Sequence, residues 1–159
     1  MQFVLDTNVV IDWLVFDDPF MTPLRTRAID GSIGIVSHEL TIEELARVLR
    51  YPMLNLSEAR SEEILRRYVD QTIKVRMPDG FARDAWSLPK GFPSCRDRDD
   101  DLFLALAFHS HASALVTRDK LLLKMRKRVR KFGVTILDVP QFIATIKEPA
   151  TSAELIAGS

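Results

Sequence analysis

Cysteine is nearly absent from this sequence: Cys95 is the one thiol among 159 residues. A single thiol cannot close an internal disulfide, which excludes a disulfide-stapled scaffold and agrees with a reducing compartment. A zinc site is disfavoured on the same ground. His38, His109 and His111 have no cysteine cluster to assist them, and the last two fall on different sides of a helix. The histidines read better as solvated helix-end residues. Net charge is missing as well: 22 basic side chains balance 22 acidic ones, so attraction to an anionic partner has to come from local patches. No apolar run approaches the roughly 18 residues that read as a membrane span. The first residues lack a basic n-region, and there are no internal repeats. These absences lead to the expectation of a cytoplasmic protein, and the length suits one domain with a core of its own.

The apolar runs that are present are short and regularly separated. Residues 3–5, 33–36, 73–75, 114–117 and 134–137 read as strands. Helical spacing predicts helices over 9–16, 22–30, 37–51, 57–71, 99–111, 120–129 and 140–146, with Pro23 in the first turn of the second and Pro52 ending the third. Residues 77–96 hold three prolines and two glycines, which predicts loop with one short helix near 82–86. Strands alternating with helices argue for an α/β fold with a parallel sheet covered on both faces. The residues after Pro149, rich in Ala, Thr and Ser, are expected to be a flexible tail.

Two of the strands end in polar chemistry. Phe3-Val4-Leu5 runs into Asp6-Thr7-Asn8, and Ala114-Leu115-Val116 runs into Thr117-Arg118-Asp119. Strand carboxyl ends are where open α/β sheets bind ligands. Either aspartate has an alternative use as a helix cap, although Asn8 is able to cap in place of Asp6. In the third helix Glu39, Glu43, Arg47 and Arg50 share one solvated face, with Glu43 and Arg47 at favourable i, i+4 spacing. Glu44 instead lies with Leu40, Thr41 and Val48 at the edge of the buried stripe of Leu45 and Leu49. A carboxylate aimed at the core is costly unless paired or metal-bound, so Glu44 is the functional candidate and Glu43 the decoy, although Thr41 to Glu44 also fits a capping box. The run Asp97-Arg98-Asp99-Asp100-Asp101 crowds a helix amino terminus, where the macrodipole favours acids. Counting back from Phe103 and Leu104 places Asp100 on the inward side of the first turn; Asp99 is less well placed, and Asp97 and Asp101 are candidates for a supporting shell.

Four carboxylates brought to one sheet edge imply a divalent metal. Two carboxylates about 5 Å apart repel by roughly 3 kcal/mol at an effective dielectric of about 20. Without a cation one or more of four would hold a proton. Mg2+ or Mn2+ prefers oxygen ligands, and such ions on a phosphodiester activate water and stabilise the leaving oxygen.

At these residues the chain resembles the PIN-domain family, in particular the toxin-like branch related to VapC ribonucleases. The resemblance rests on Leu5 to Asn8, Glu44 to Leu49, Cys95 to Leu104, Leu115 to Asp119, and the ending Gly133 to Leu137 with Pro140 to Ile143. It spans residues 1–147, leaving 148–159 as the tail. It implies a three-layer α/β/α sandwich with a central, mainly parallel sheet, and a Mg2+-dependent endoribonuclease acting on single-stranded RNA. Asp6, Glu44, Asp100 and Asp119 take the family's acidic positions, with Asn8 and Thr117 as polar helpers. Arg118 departs from the branch, where a small residue is common; its bulk would narrow access or bind a phosphate.

The resemblance also implies a homodimer held inactive by a small antitoxin. The chain adds a hint of its own: Val9, Val10, Trp13, Leu14, Phe16 and Phe20 exceed what one face of a short helix can bury, so some are expected at an interaction surface, Trp13 among them. Lys124, Arg126, Lys127, Arg128, Arg130 and Lys131 form the clearest basic patch. It reads as a solvated helix end, a hold on RNA phosphates, or a seat for an acidic partner tail. Rival classes are less well matched. An aspartyl-phosphate phosphatase wants Asp-x-Asp after the first strand, where Asn8 stands. A receiver domain wants an acceptor aspartate after its third strand and a lysine near the last, and neither is evident. A catalytically silent PIN fold, binding RNA or protein, is the remaining alternative.

Overall fold

The computed structural model describes residues 1–81, 83, 85–95 and 98–147. Five strands, β1 (Gln2–Leu5), β2 (Gly34–Ser37), β3 (Ile73–Lys74), β4 (Ala114–Val116) and β5 (Ile136–Leu137), alternate with eight helices. These are α1 (Thr7–Leu14), α2 (Thr22–Ile29), α3 (Glu39–Val48), α4 (Glu58–Gln71), α5 (Arg98–His109), α6 (Lys120–Lys124), α7 (Arg126–Arg130) and α8 (Val139–Lys147). The strands lie in the order β3-β2-β1-β4-β5, every neighbouring pair parallel.

The apolar runs are continuous because both faces of the sheet are covered. Phe3, Leu5, Ile35, Ala114 and Val116 point to one side and pack with Trp13 and Leu14 of α1, Leu24 of α2, Leu45 of α3, Ile64 and Tyr68 of α4, and Phe142 and Ile143 of α8. Val4, Val36, Leu115 and Ile136 point to the other and meet Phe103, Leu104 and Ala107 of α5, Leu122 of α6 and Val129 of α7. The result is the expected three-layer α/β/α sandwich. No described helix is long and apolar enough to cross a membrane.

Local differences from the sequence reading have local causes. The helix expected over 120–129 is two: at Met125 the backbone turns (φ −84°, ψ −7°), its N–H closing on Leu122 and Leu123, and α7 restarts from the Met125 carbonyl. The third helix is trimmed to Glu39–Val48, because His38 caps it, its ring Nδ1 accepting the Leu40 N–H while the Thr41 hydroxyl accepts the His38 N–H. The capping pair is thus His38 with Thr41, not Thr41 with Glu44. β3 shrinks to two exposed edge residues. In place of the short helix near 82–86 a 3-10 turn covers Ala85–Ser87, with Trp86 left-handed at φ 63°; Ala82 lies outside the described residues, as does the expected tail over 148–159.

Trp13 is not a surface residue. It is 1% exposed, and Val9, Val10 and Leu14 are buried with it. A helix apolar on all sides is a buried helix, and α1 is enclosed in the larger core. The Trp13 indole N–H finds no hydrogen-bond partner among the described residues. Of the six apolar residues only Phe16 and Phe20, beyond the helix, emerge, 62% and 47% exposed.

Candidate active site

Chain direction across the sheet reverses at β1, which is flanked by β2 on one side and β4 on the other. The crevice outside the carboxyl ends of β1 and β4 is therefore the topological switch point, where an open α/β sheet receives ligands. The register pairs Leu5 with Val116. That places Asp6 beside Thr117, and the Asp6 N–H bonds to the Val116 carbonyl at 2.9 Å.

Side chains continue the link. The fully buried Thr117 hydroxyl donates to Asp6 Oδ2 at 2.8 Å and accepts the Asp119 N–H at 3.0 Å. Asp6 stands at the amino end of α1 but makes no side-chain capping bond there; its carboxylate is turned to the crevice end of β4 instead. Asp119 does cap: its Oδ1 accepts the Leu121 N–H at 2.7 Å at the start of α6.

Glu44 enters from α3 on the other side of Asp6. The Thr7 hydroxyl donates to Glu44 Oε2 at 2.5 Å, and the glutamate side chain is only 14% exposed. Burial pushes its carboxyl up to about 7, with Asp6 and Asp99 adding repulsion against the opposing pull of the Thr7 hydroxyl and Arg47. Glu43 is exposed, as the helix phase requires. Arg47 does not serve it in the way expected: the guanidinium lies 3.2 Å from Asp99 Oδ2 and 3.9 Å from Glu44 Oε1, joining α3 to the first turn of α5.

Asp100 is buried in that first turn, 9% exposed, whereas Asp99 is exposed. Asp101 Oδ1 accepts the Cys95 N–H at 2.6 Å and so pins the preceding loop to α5. The Cys95 thiol is pushed up to about 12, first by burial and then by the charges of Asp100, Asp101 and Asp119. It is a protonated thiol at neutral pH and no nucleophile. Asp97 lies outside the described residues.

Asp6 and Asp99 thus act electrostatically on Glu44, and Asp100, Asp101 and Asp119 on Cys95. Thr117 joins Asp6 to Asp119. Among the described residues no three acidic, histidine or cysteine side chains are grouped so as to hold a metal ion. The donor chemistry suits a hard divalent cation all the same: it is carboxylate and hydroxyl oxygen throughout.

The remaining expected site residues divide. Asn8 is exposed on α1, and its neighbour Thr7 makes the bond to Glu44. The Arg118 guanidinium bonds to the buried carboxylate of Asp12 in α1. Lys124, Lys127, Arg128, Arg130 and Lys131 are exposed. Arg126 is structural: it reaches the Ile136 carbonyl at 3.2 Å, Gln141 at 2.7 Å and Asp138 at 3.5 Å, clamping α7 to β5 and α8. Of the histidines only His111 is solvated. His38 is a half-buried cap, and His109 Nε2 sits 2.8 Å from the Trp86 carbonyl with its ring against Phe81 and Phe108. Thr7 and Asp12 went unassigned in the sequence reading, and Arg47 was given only to Glu43; Thr7 stands inside the Asp-Thr-Asn signal, while Asp12 and Arg47 find their partners only through the fold.

The sequence matches the PIN domain family over residues 2–121. No curated protein matches it significantly. Among solved structures the chain is similar to one in VapBC2 from Rickettsia felis bound to a DNA fragment from their promoter, with a TM-score of 0.60 and 16% identity over 87% of this chain and 98% of that one. It is also similar to PAE2754 from Pyrobaculum aerophilum, with a TM-score of 0.56 and 20% identity over 92% of this chain and 90% of that one.

Proposed function

Because the chain belongs to the PIN domain family, we propose that it is an endoribonuclease dependent on Mg2+, with Mn2+ as a substitute, that hydrolyses single-stranded RNA. The observation that carries this reading is the joining of Asp6 to Asp119 through Thr117 at the switch point, with Glu44 bound to the adjoining Thr7.

Asp6, Glu44, Asp100 and Asp119 are the residues that would hold the cation. Bound there, it supplies activation of the attacking water and stabilisation of the leaving oxygen. The chain's own groups do the positioning. Thr117 fixes one oxygen of Asp6 and the backbone of Asp119, and Thr7 fixes one oxygen of Glu44, so the carboxylates are held before substrate arrives. Hydrolysis by metal-activated water needs no covalent enzyme intermediate. Arg118 and the exposed cations of α6 and α7 offset the repulsion between the acids and the RNA phosphates.

The likeness to a chain of VapBC2, a complex on promoter DNA, supports a place for this protein as the toxin of a toxin–antitoxin pair, restrained by a small antitoxin. A homodimer belongs to the same reading, and the exposed Phe16 and Phe20 are its apolar contacts.

The test is direct. Purified protein degrades single-stranded RNA in Mg2+ or Mn2+ and stops in EDTA. Cleavage that persists after thorough chelation overturns the metal mechanism, and RNA binding without cleavage under any divalent metal favours a silent PIN-fold binding module.

A further inference from the structure

Beside the acids lies a second feature that cation binding does not use. The loop leading into α5 and the first turn of that helix enclose a cavity of about 450 Å³, lined by Arg83, Trp86, Pro89, Phe92 and Asp101 among others. Its two aromatic rings are each held by neighbouring rings. Trp86 rests against Phe81, centroids 5.1 Å apart, and its carbonyl is held by His109. Phe92 is wedged between Phe108 and Phe132, at 5.8 and 4.9 Å.

The backbone at the cavity is strained as well. Trp86 and Ser87 both have left-handed φ, 63° and 50°. A bulky side chain in that region is an outlier, and such conformations persist where the surroundings over-determine them, most often at binding sites. Here His109 and Phe81 supply the restraint, and it serves to keep an indole at the wall of a cavity. Asp101, in the same wall, directly follows Asp100 of the acidic group.

We infer that this cavity seats one unpaired nucleobase of the RNA strand, stacked on Trp86 and Phe92, and thereby selects the base that flanks the cut. The inference rests on the ribonuclease reading and adds specificity to it. Unpaired bases are recognised by stacking on aromatic side chains and by hydrogen bonds to their edges. The carboxylate of Asp101 repels phosphate and accepts from amino groups, since a carboxylate takes several donors at once. The favoured bases are therefore adenine, cytosine and guanine, whose exocyclic amino groups project from the ring, over uracil, whose one base donor is the N3–H between two carbonyls. Arg83 faces the strand's phosphate. A flat ring with donor edges matches this lining of rings, carboxylate and guanidinium better than an aliphatic peptide side chain does.

The experiment needs no cleavage. In EDTA, tryptophan fluorescence is titrated with AMP, CMP, GMP, UMP and ribose 5-phosphate. Trp13 is 1% exposed, so quenching reports Trp86. The three amino-bearing nucleotides quench, UMP is weaker, and ribose 5-phosphate is silent. Anisotropy of a labelled single-stranded oligoribonucleotide adds the variants: Phe92→Ala weakens binding about tenfold, the size of one lost stacking contact, whereas Trp86→Phe, which keeps a ring, stays within about twofold of the parent. Asp101→Asn moves the preference toward UMP, because an amide also donates. Quenching by ribose 5-phosphate equal to that by nucleotides, a flat response to all four nucleotides, or quenching by an apolar peptide alone overturns the inference. Cleavage of RNA beside a flat nucleotide titration sinks the base site and leaves the ribonuclease standing; nucleotide binding without cleavage does the reverse.

Discussion

The Thr117 hydroxyl donates to Asp6 Oδ2 while accepting the Asp119 N–H, so one buried side chain holds two acids that arrive from different strands. Thr117→Val keeps the shape and removes both bonds. It takes one donor from a buried carboxylate and the acceptor from a backbone N–H, which costs about 1–3 kcal/mol and shows in urea unfolding. RNA cleavage falls with it by at least about tenfold, the size of a loosened catalytic carboxylate. Thr117→Ser retains both properties. A valine variant as stable and active as the parent shows the link to be incidental.

Glu44 makes metal-free stability fall as pH rises. Its carboxyl is raised to about 7 in the folded chain, against about 4.3 for an unperturbed glutamate. Below the unfolded value both states hold the proton and nothing is lost. Between the two values the unfolded chain gives up the proton while the folded chain keeps it, so stability falls from about pH 4.3 to about pH 7, by up to about 3 kcal/mol, and levels off above. Urea midpoints in EDTA at pH 5 and pH 8 measure this, and Glu44→Gln flattens the difference. Added Mg2+ stabilises the parent more at pH 8 than at pH 5, since protons compete for the same oxygens. A difference that survives in the Gln variant assigns the pH dependence elsewhere.

Asp100 and Glu43 separate site from surface. Asp100→Asn reduces cleavage by two orders of magnitude or more while the thermal midpoint moves little, and Glu43→Gln changes neither. If Asp99→Asn proves the lethal change, the acidic partner from α5 is the one paired to Arg47.

Trp13→Glu unfolds the protein. A charge placed where the side chain is 1% exposed cannot stay ionised there without a partner, so loss of soluble folded protein is the expected result. Phe16→Glu is the informative variant for assembly. Light scattering gives about twice the chain mass for the parent and a shift toward monomer for the variant. A parent that is monomeric at high concentration removes the dimer.

The sequence signals that carried were those with a local physical cause. Strands covered on both faces must be apolar throughout, so β1 and β4 and the acids that end them were legible without any partner known. The phase of α3 separated Glu44 from Glu43, and the phase of α5 separated Asp100 from Asp99. Illegible features depended on what the fold brings from a distance. Thr7 meets Glu44 across 37 residues and Thr117 meets Asp6 across 111. Arg47 was readable as the partner of Glu43, one turn away, until α5 supplied Asp99. Trp13 was misread because an apolar helix surrounded by two layers of neighbours looks, from its own composition, the same as one with a sticky face. Met125 interrupts a helix that propensity alone would continue.

The sheet order has a consequence for how the protein is made. β1 lies in the middle of the sheet, and one of its two neighbours, β4, follows it by more than a hundred residues. During synthesis an elongating chain can pair β1 with β2 but carries an open hydrogen-bonding edge on the other side until β4 leaves the ribosome, and contacts this distant in sequence form slowly. The same strand delivers Thr117 and Asp119. A nascent or prematurely terminated chain therefore cannot assemble the acidic crevice.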